Sequence, residues 1–157
     1  MLLGALSFST VANAADYISH KHQGQQLQVT TTEGQVNITA LHNQAFEVLY
    51  QAQNLPFPSF AKDPRLTGKN DTSELQLVVQ PNQLILSTGQ LTVVINKSPL
   101  RLSYYDKTQL LTAEESGFFA HKTVQGFRFK LAEDEKLMGT GERVLGMNRR
   151  GHRLPLY

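Results

Sequence analysis

Leu91-Thr92-Val93-Val94-Ile95-Asn96-Lys97-Ser98-Pro99-Leu100-Arg101-Leu102-Ser103-Tyr104 decides the fold class. Leu91, Val93 and Ile95 recur every second residue, and so do Leu100, Leu102 and Tyr104 against Arg101 and Ser103. Side chains alternate between the two faces of a strand, so each run offers one face to a core and the other to water. Asn96-Lys97-Ser98-Pro99 separates the runs with turn chemistry, which makes the pair read as two antiparallel strands.

The same period extends outward in both directions. Leu27 and Val29 alternate with glutamines and Thr30, and Val36 and Ile38 with Gln35, Asn37 and Thr39. Leu75, Leu77 and Val79 follow, and Phe127, Phe129 and Leu131 interleave with Arg128 and Lys130. Turns are expected at Thr32-Glu33-Gly34, Pro81-Asn82, Thr88-Gly89 and Gln125-Gly126. Strands spaced about ten residues apart predict an all-β chain, an antiparallel sheet system folded into a sandwich or barrel. Phe46 to Tyr50 reads as a strand or one turn of helix, and Phe118-Phe119 is too short to decide. Prolines 56, 58 and 64 interrupt the stretch from Gln53 to Asp71. With Leu55, Phe57 and Phe60 as apolar anchors, it reads as an ordered loop, either a crossover between sheets or a substrate-contacting loop.

The chain has 157 residues, 40% of them hydrophobic, which suits one domain with a real core. Fifteen Lys and Arg against thirteen Asp and Glu leave a net charge of +2, too near balance to support nucleic-acid binding. With no cysteine there is no disulfide, thiolate metal site or cysteine nucleophile. Residues 1–14 form an uncharged apolar run ending in Ala12-Asn13-Ala14, which reads as a secretory signal with Ala15 as the mature N-terminus. Against that pattern, the first cation is Lys21, and a buried N-terminal strand or helix is the alternative. An exported protein, periplasmic or extracellular and without a membrane span after signal removal, is the expectation.

Candidate chemistry is sparse. Acid–base or nucleophilic work by carboxyl groups needs two of them held close together in different environments. Glu114, Glu115, Glu133, Asp134, Glu135 and Glu142 are the acids to consider, but the runs Glu114-Glu115 and Glu133-Asp134-Glu135 read as solvated surface. No residue is assigned a catalytic, cofactor-binding or metal role. His20-Lys21-His22 has a lysine between its imidazoles and reads as a solvated tail. Asn37-Ile38-Thr39 and Asn70-Asp71-Thr72 match the glycosylation acceptor pattern, which arises readily by chance. Gly139-Thr140-Gly141 has Val144 where a dinucleotide fingerprint needs glycine.

The C-terminal segment carries a stronger signal. Gly139-Thr140-Gly141-Glu142-Arg143, then Arg149-Arg150-Gly151-His152-Arg153-Leu154 and the aromatic Tyr157, resembles the junction between the N-terminal β-sandwich and the catalytic barrel of glycoside hydrolase family 31. The close likeness spans Phe127 to Tyr157, with a looser strand pattern before it. That family comprises α-glucosidases, α-xylosidases and transglucosylases. The resemblance implies a galactose mutarotase-like supersandwich over residues 15–138 and, from 139 to 157, the start of the junction to a (β/α)8 barrel that this sequence does not contain. It also implies that the catalytic aspartates lie in that barrel, that no cofactor is used, and that the full-length enzyme acts on an α-linked oligosaccharide. Gly139, Gly141, Glu142, Arg143, Arg149, Arg150, Gly151 and Arg153 would form the junction. Arg143 and Arg150 would be partly buried against carboxylates or carbonyls of the barrel, since guanidinium forks seek planar acceptors. The competing reading is a free-standing exported carbohydrate-binding sandwich, for which Tyr104, Tyr105, Phe57 and Phe60 would supply an aromatic platform.

Overall fold

The alternating runs form strands that pair with their sequence neighbours. The computed structural model describes residues 15–52, 75–121, 124–138 and 146–152. Within these lie β1 (Tyr17–Gln23), β2 (Gln26–Thr31), β3 (Gly34–His42), β4 (Ala45–Ala52), β5 (Gln76–Val79), β6 (Gln83–Ser87), β7 (Leu91–Lys97), β8 (Leu100–Asp106), β9 (Gln109–Ala113), β10 (Phe119–His121) and β11 (Val124–Gly126). They build a four-stranded sheet in the order β1-β2-β3-β4, a five-stranded sheet in the order β5-β6-β7-β8-β9, and the pair β10-β11. Every pairing is antiparallel, and the described residues contain no helix.

Register turns the period of two into rows of side chains. In the five-stranded sheet Leu84 faces Ile95, which faces Leu102, and Leu86 faces Val93, which faces Tyr104. In the four-stranded sheet Leu27 faces Ile38, which faces Val48, and Val29 faces Val36, which faces Tyr50. These rows join Ala15, Ala40, Leu75 and Leu100 in one buried cluster between the sheets. Leu27, Ile38, Leu84, Leu86, Ile95 and Leu102 have no exposed surface. Full burial of each such side chain contributes about 1.5–3 kcal/mol.

Polar ties join the sheets at their margins. Leu100 N–H donates to Ala15 O at 2.7 Å, and Ser98 Oγ to Asp16 Oδ1 at 2.8 Å. At the other end Thr88 Oγ1 donates to Asn43 O at 2.6 Å, and Gln44 Nε2 to Gln90 Oε1 at 3.0 Å.

The antiparallel sandwich agrees with the sequence reading, whereas several local expectations need correction. Residues 20–22 belong to β1 and not to a tail, because His20, Lys21 and His22 pair with Val29, Gln28 and Leu27. Gln125-Gly126 lies in β11, paired with Ala120 and Phe119. Phe46 to Tyr50 is strand, part of β4. Phe127, Phe129 and Leu131 form no named strand and remain 49%, 38% and 36% exposed. The signal segment 1–14, the loop 53–71 with its aromatic anchors, and Asn70-Asp71-Thr72 lie outside the described residues.

Candidate functional site

The period of two places Glu114, just beyond β9, with its side chain inward and Glu115 outward. Glu114 is 4% exposed, a position that carboxylates rarely occupy without partners. This overturns the expectation of a solvated Glu114-Glu115 run for the first residue, while Glu115 is exposed. The carboxyl bridges the two sheets: Oε2 accepts from Leu102 N–H of β8 at 2.9 Å, and Oε1 accepts from the Tyr50 hydroxyl of β4. The Glu114 N–H donates to Leu102 O at 2.9 Å, so side chain and main chain grip the same residue.

Aromatic rings enclose this bridge. Tyr50 stacks on Phe118 at 5.1 Å and on Phe127 at 5.8 Å. Phe127 meets Phe129 edge-on at 5.3 Å, and Phe129 lies 6.3 Å from Tyr104. Gly117 lets the chain bend there: its φ is +69°, and a Cβ would sit 2.1 Å from Leu100 O. Burial in these surroundings raises the Glu114 carboxyl above its ordinary range, while the Tyr50 and Leu102 donors pull it back without prevailing. Burial and then the nearby Glu114 charge also push the Tyr50 and Tyr104 hydroxyls up. Among the described residues no second carboxylate acts on Glu114, so they do not present the paired-acid arrangement of a retaining glycosidase.

Downstream, the backbone runs beside residues 113–115. Glu115 N–H donates to Arg128 O at 2.7 Å and Lys130 N–H to Ala113 O at 2.9 Å, around a single bridge between Glu114 and Phe129. Alternation at Phe127 and Phe129 thus serves to cover Tyr50 and Tyr104, not to extend a buried sheet.

Of the junction residues, Arg149, Arg150 and Gly151 are described; Gly139, Gly141, Glu142, Arg143 and Arg153 lie outside the described residues. Arg149 is 8% exposed and donates through Nη1 to Gly146 O at 2.6 Å. Its N–H meets Leu137 O at 2.7 Å. Arg150 takes carbonyls of its own chain, donating through Nη1 to Ala132 O at 2.5 Å and Glu135 O at 3.0 Å, with its side chain exposed. Both acceptors belong to this chain. Arg149 O accepts from His152 N–H at 3.1 Å, and Gly151 at φ +80° occupies the turn position that needs positive φ. Asn148 Oδ1 completes the knot, accepting from Leu137 N–H and Arg150 N–H, each at 3.1 Å.

Other candidates are scattered. Glu133 and Asp134 are exposed, and Glu135 Oε2 caps Ala132 N–H at 2.9 Å. Tyr17 Oη bonds His20 Nδ1 at 2.6 Å, and His22 Nε2 bonds Gly24 O at 3.1 Å. Among the described residues no group of three or more His, Cys, Asp or Glu is placed to hold a metal. Asn37 Nδ2 is engaged with Gln51 Oε1 at 2.8 Å. Tyr104 and Tyr105 do come together, with Phe46, Thr92, Leu111 and Thr112, around a cleft of about 360 Å³ at one margin of the sandwich. A register shift between Tyr104 and Tyr105 lets consecutive tyrosines line it. Phe57 and Phe60 lie outside the described residues.

Comparison with known proteins places this architecture. The solved structures of a Flavobacterium johnsoniae GH31 dextranase, one a mutant complexed with isomaltotriose and one complexed with glucose, each superpose with a TM-score of 0.75 at 21% identity. Each match covers 88% of this chain but only 18% of the dextranase chain, a likeness of fold alone. No curated protein matches the chain in sequence. The family model for the glycosyl hydrolase 31 N-terminal galactose mutarotase-like domain matches residues 35–157. With an all-β double-sheet architecture and a family match over most of its length, the chain belongs to the glycosyl hydrolase 31 N-terminal galactose mutarotase-like domain family.

Proposed function

We propose that this chain is the non-catalytic N-terminal sandwich of an exported retaining α-glycosidase, which packs on the catalytic barrel and helps shape the pocket that receives an α-linked sugar. The family match carries this reading. The surface that leaves the sandwich supports it: Phe127, Phe129, Leu137, Met138 and Met147 are between 38% and 76% exposed within a short stretch of chain. Apolar groups so concentrated suit a covered interface better than open water. Chemistry is assigned to the barrel because, among the described residues, the buried acid Glu114 has no paired carboxylate. Export rests on the apolar segment 1–14.

The purified 157-residue chain should leave a chromogenic α-glucoside intact, and the reading frame continued past codon 157 should encode a barrel bearing two catalytic carboxylates. Turnover by the short chain alone would overturn the assignment. N-terminal sequencing of secreted material should begin at Ala15; retention of Met1 would remove export.

The tyrosine-lined cleft favours a second reading, sugar binding by the sandwich itself. Its rings and hydroxyls, with no charged side chain among the described residues that line it, suit a neutral polyol. Isomaltotriose should then shift NMR signals of Tyr104, Tyr105 and Thr112; unchanged spectra at millimolar sugar would reject it.

A further inference from the structure

A buried carboxyl that touches both sheets and the outgoing chain can do more than fill space. We infer that Glu114 is a proton-sensitive clasp, which holds the two sheets and the segment Phe127–Lys130 together in its neutral form and loosens them when it ionises.

The geometry supplies both states. Neutral Glu114 can donate its own proton to Tyr50 Oη while Leu102 N–H donates to the other oxygen. After the proton leaves to solvent, both neighbours donate to a carboxylate, and the charge stays buried. Among the described residues the groups facing it are Tyr50 from β4 and the Leu102 amide and Tyr104 from β8. On its own segment Glu115 is exposed, and on the outgoing segment Arg128 and Lys130 are exposed. Arg101, the nearby cation of β8, directs Nη1 to Glu115 O at 3.3 Å. None of these cations is among the groups that act on Glu114. A charge buried without an opposite partner is costly, and the strain falls on whatever encloses it. The enclosure includes Phe127 and Phe129 and the two backbone bonds that bracket Glu114, from Glu115 N–H to Arg128 O and from Lys130 N–H to Ala113 O.

The sign follows from proton linkage. Burial raises the folded-state titration of Glu114 above that of the unfolded chain. Between the two, the folded state keeps a proton that the unfolded state has released. Stability therefore falls as pH rises through that window, at most about tenfold in the folding equilibrium per pH unit, and is level on either side.

Two measurements on the 157-residue chain decide the matter. Carbon-13 NMR of the Glu114 carboxyl should show a midpoint above the ordinary glutamate range. Amide exchange at Glu115 and Lys130, corrected for intrinsic chemistry, should quicken as pH crosses that midpoint. Glu114→Gln keeps the shape and an acceptor for Leu102 N–H, and should abolish the pH-dependent part. A midpoint at or below the ordinary range would overturn the clasp, even if the variant failed to fold. So would equal pH dependence of Glu115 and Lys130 protection in both proteins.

Discussion

The β7–β8 hairpin and the outgoing stretch that begins at Phe127 start from similar sequence, apolar residues alternating with polar and basic ones as far as Leu131, yet reach opposite ends. In the hairpin, Val93, Ile95 and Leu102 lose all exposure because the register stacks them in rows and a second sheet closes over them. In the outgoing stretch, Phe127 and Phe129 cover Tyr50 and Tyr104 with one side and face solvent with the other. Farther on, order depends on carbonyls gathered by Arg149 and Arg150. Alternation makes a strand possible; a ladder on both edges and an opposing layer make it a core.

The sharpest way to break this contrast is truncation on each side of it. Leu102→Ala, at a site without exposed surface, should cost about 2–5 kcal/mol by urea unfolding. Leu137→Ala, 39% exposed, should stay within about 0.5 kcal/mol. Equal costs would mean that the outgoing stretch belongs to the core after all.

Two glycines give the next largest separation. Gly117 and Gly151 both have positive φ, but a Cβ at Gly117 meets Leu100 O at 2.1 Å while one at Gly151 meets nothing within 4 Å. Gly117→Ala should lose about 3 kcal/mol from strain and collision together, and Gly151→Ala about 1 kcal/mol from conformation alone. Thermal or urea unfolding of the pair would test whether close approach really anchors the bend beside Glu114.

Tyr50→Phe comes third. It removes one donor from the buried carboxyl and should cost about 1–3 kcal/mol. Because that donor favours the ionised form, its loss should raise the Glu114 midpoint further and widen the range over which stability falls with rising pH. A midpoint moving downward would show that the hydroxyl chiefly accepts a proton from Glu114.

The smallest effects belong to the exposed knot. Arg150→Ala should cost about 0.5–1.5 kcal/mol, and Met147→Ser, at a side chain 76% exposed, no more than about 0.5 kcal/mol. In the presence of a catalytic barrel that covers this surface, the order should reverse, with Met147→Ser weakening association more than it weakens the fold.

Much of the scaffold was legible from local pattern. Alternation in β2, β3, β8 and, apart from Val94, β7 identified both their type and their inward faces, and a basic C-terminal motif pointed to the family. Less was legible in β6, where Leu84-Ile85-Leu86 is a continuous apolar run without a polar period, although Leu84 and Leu86 are fully buried. β1 was hidden for the opposite reason: as an edge strand it is mostly exposed, so its residues need little apolar character. Glu114 was misread because an acidic pair looks solvated unless the distant Tyr50, sixty-four residues earlier, is known to reach it.

By itself the sequence determined the strand period, the turns other than Gln125-Gly126, the all-β class and the family, since backbone alternation and turn preferences act over a few residues. Tertiary structure alone decided which alternating runs became core, where Arg150 found its acceptors, and that one acid of a surface-like pair lies between two sheets. Those outcomes depend on long-range register and desolvation, which no short window of sequence contains.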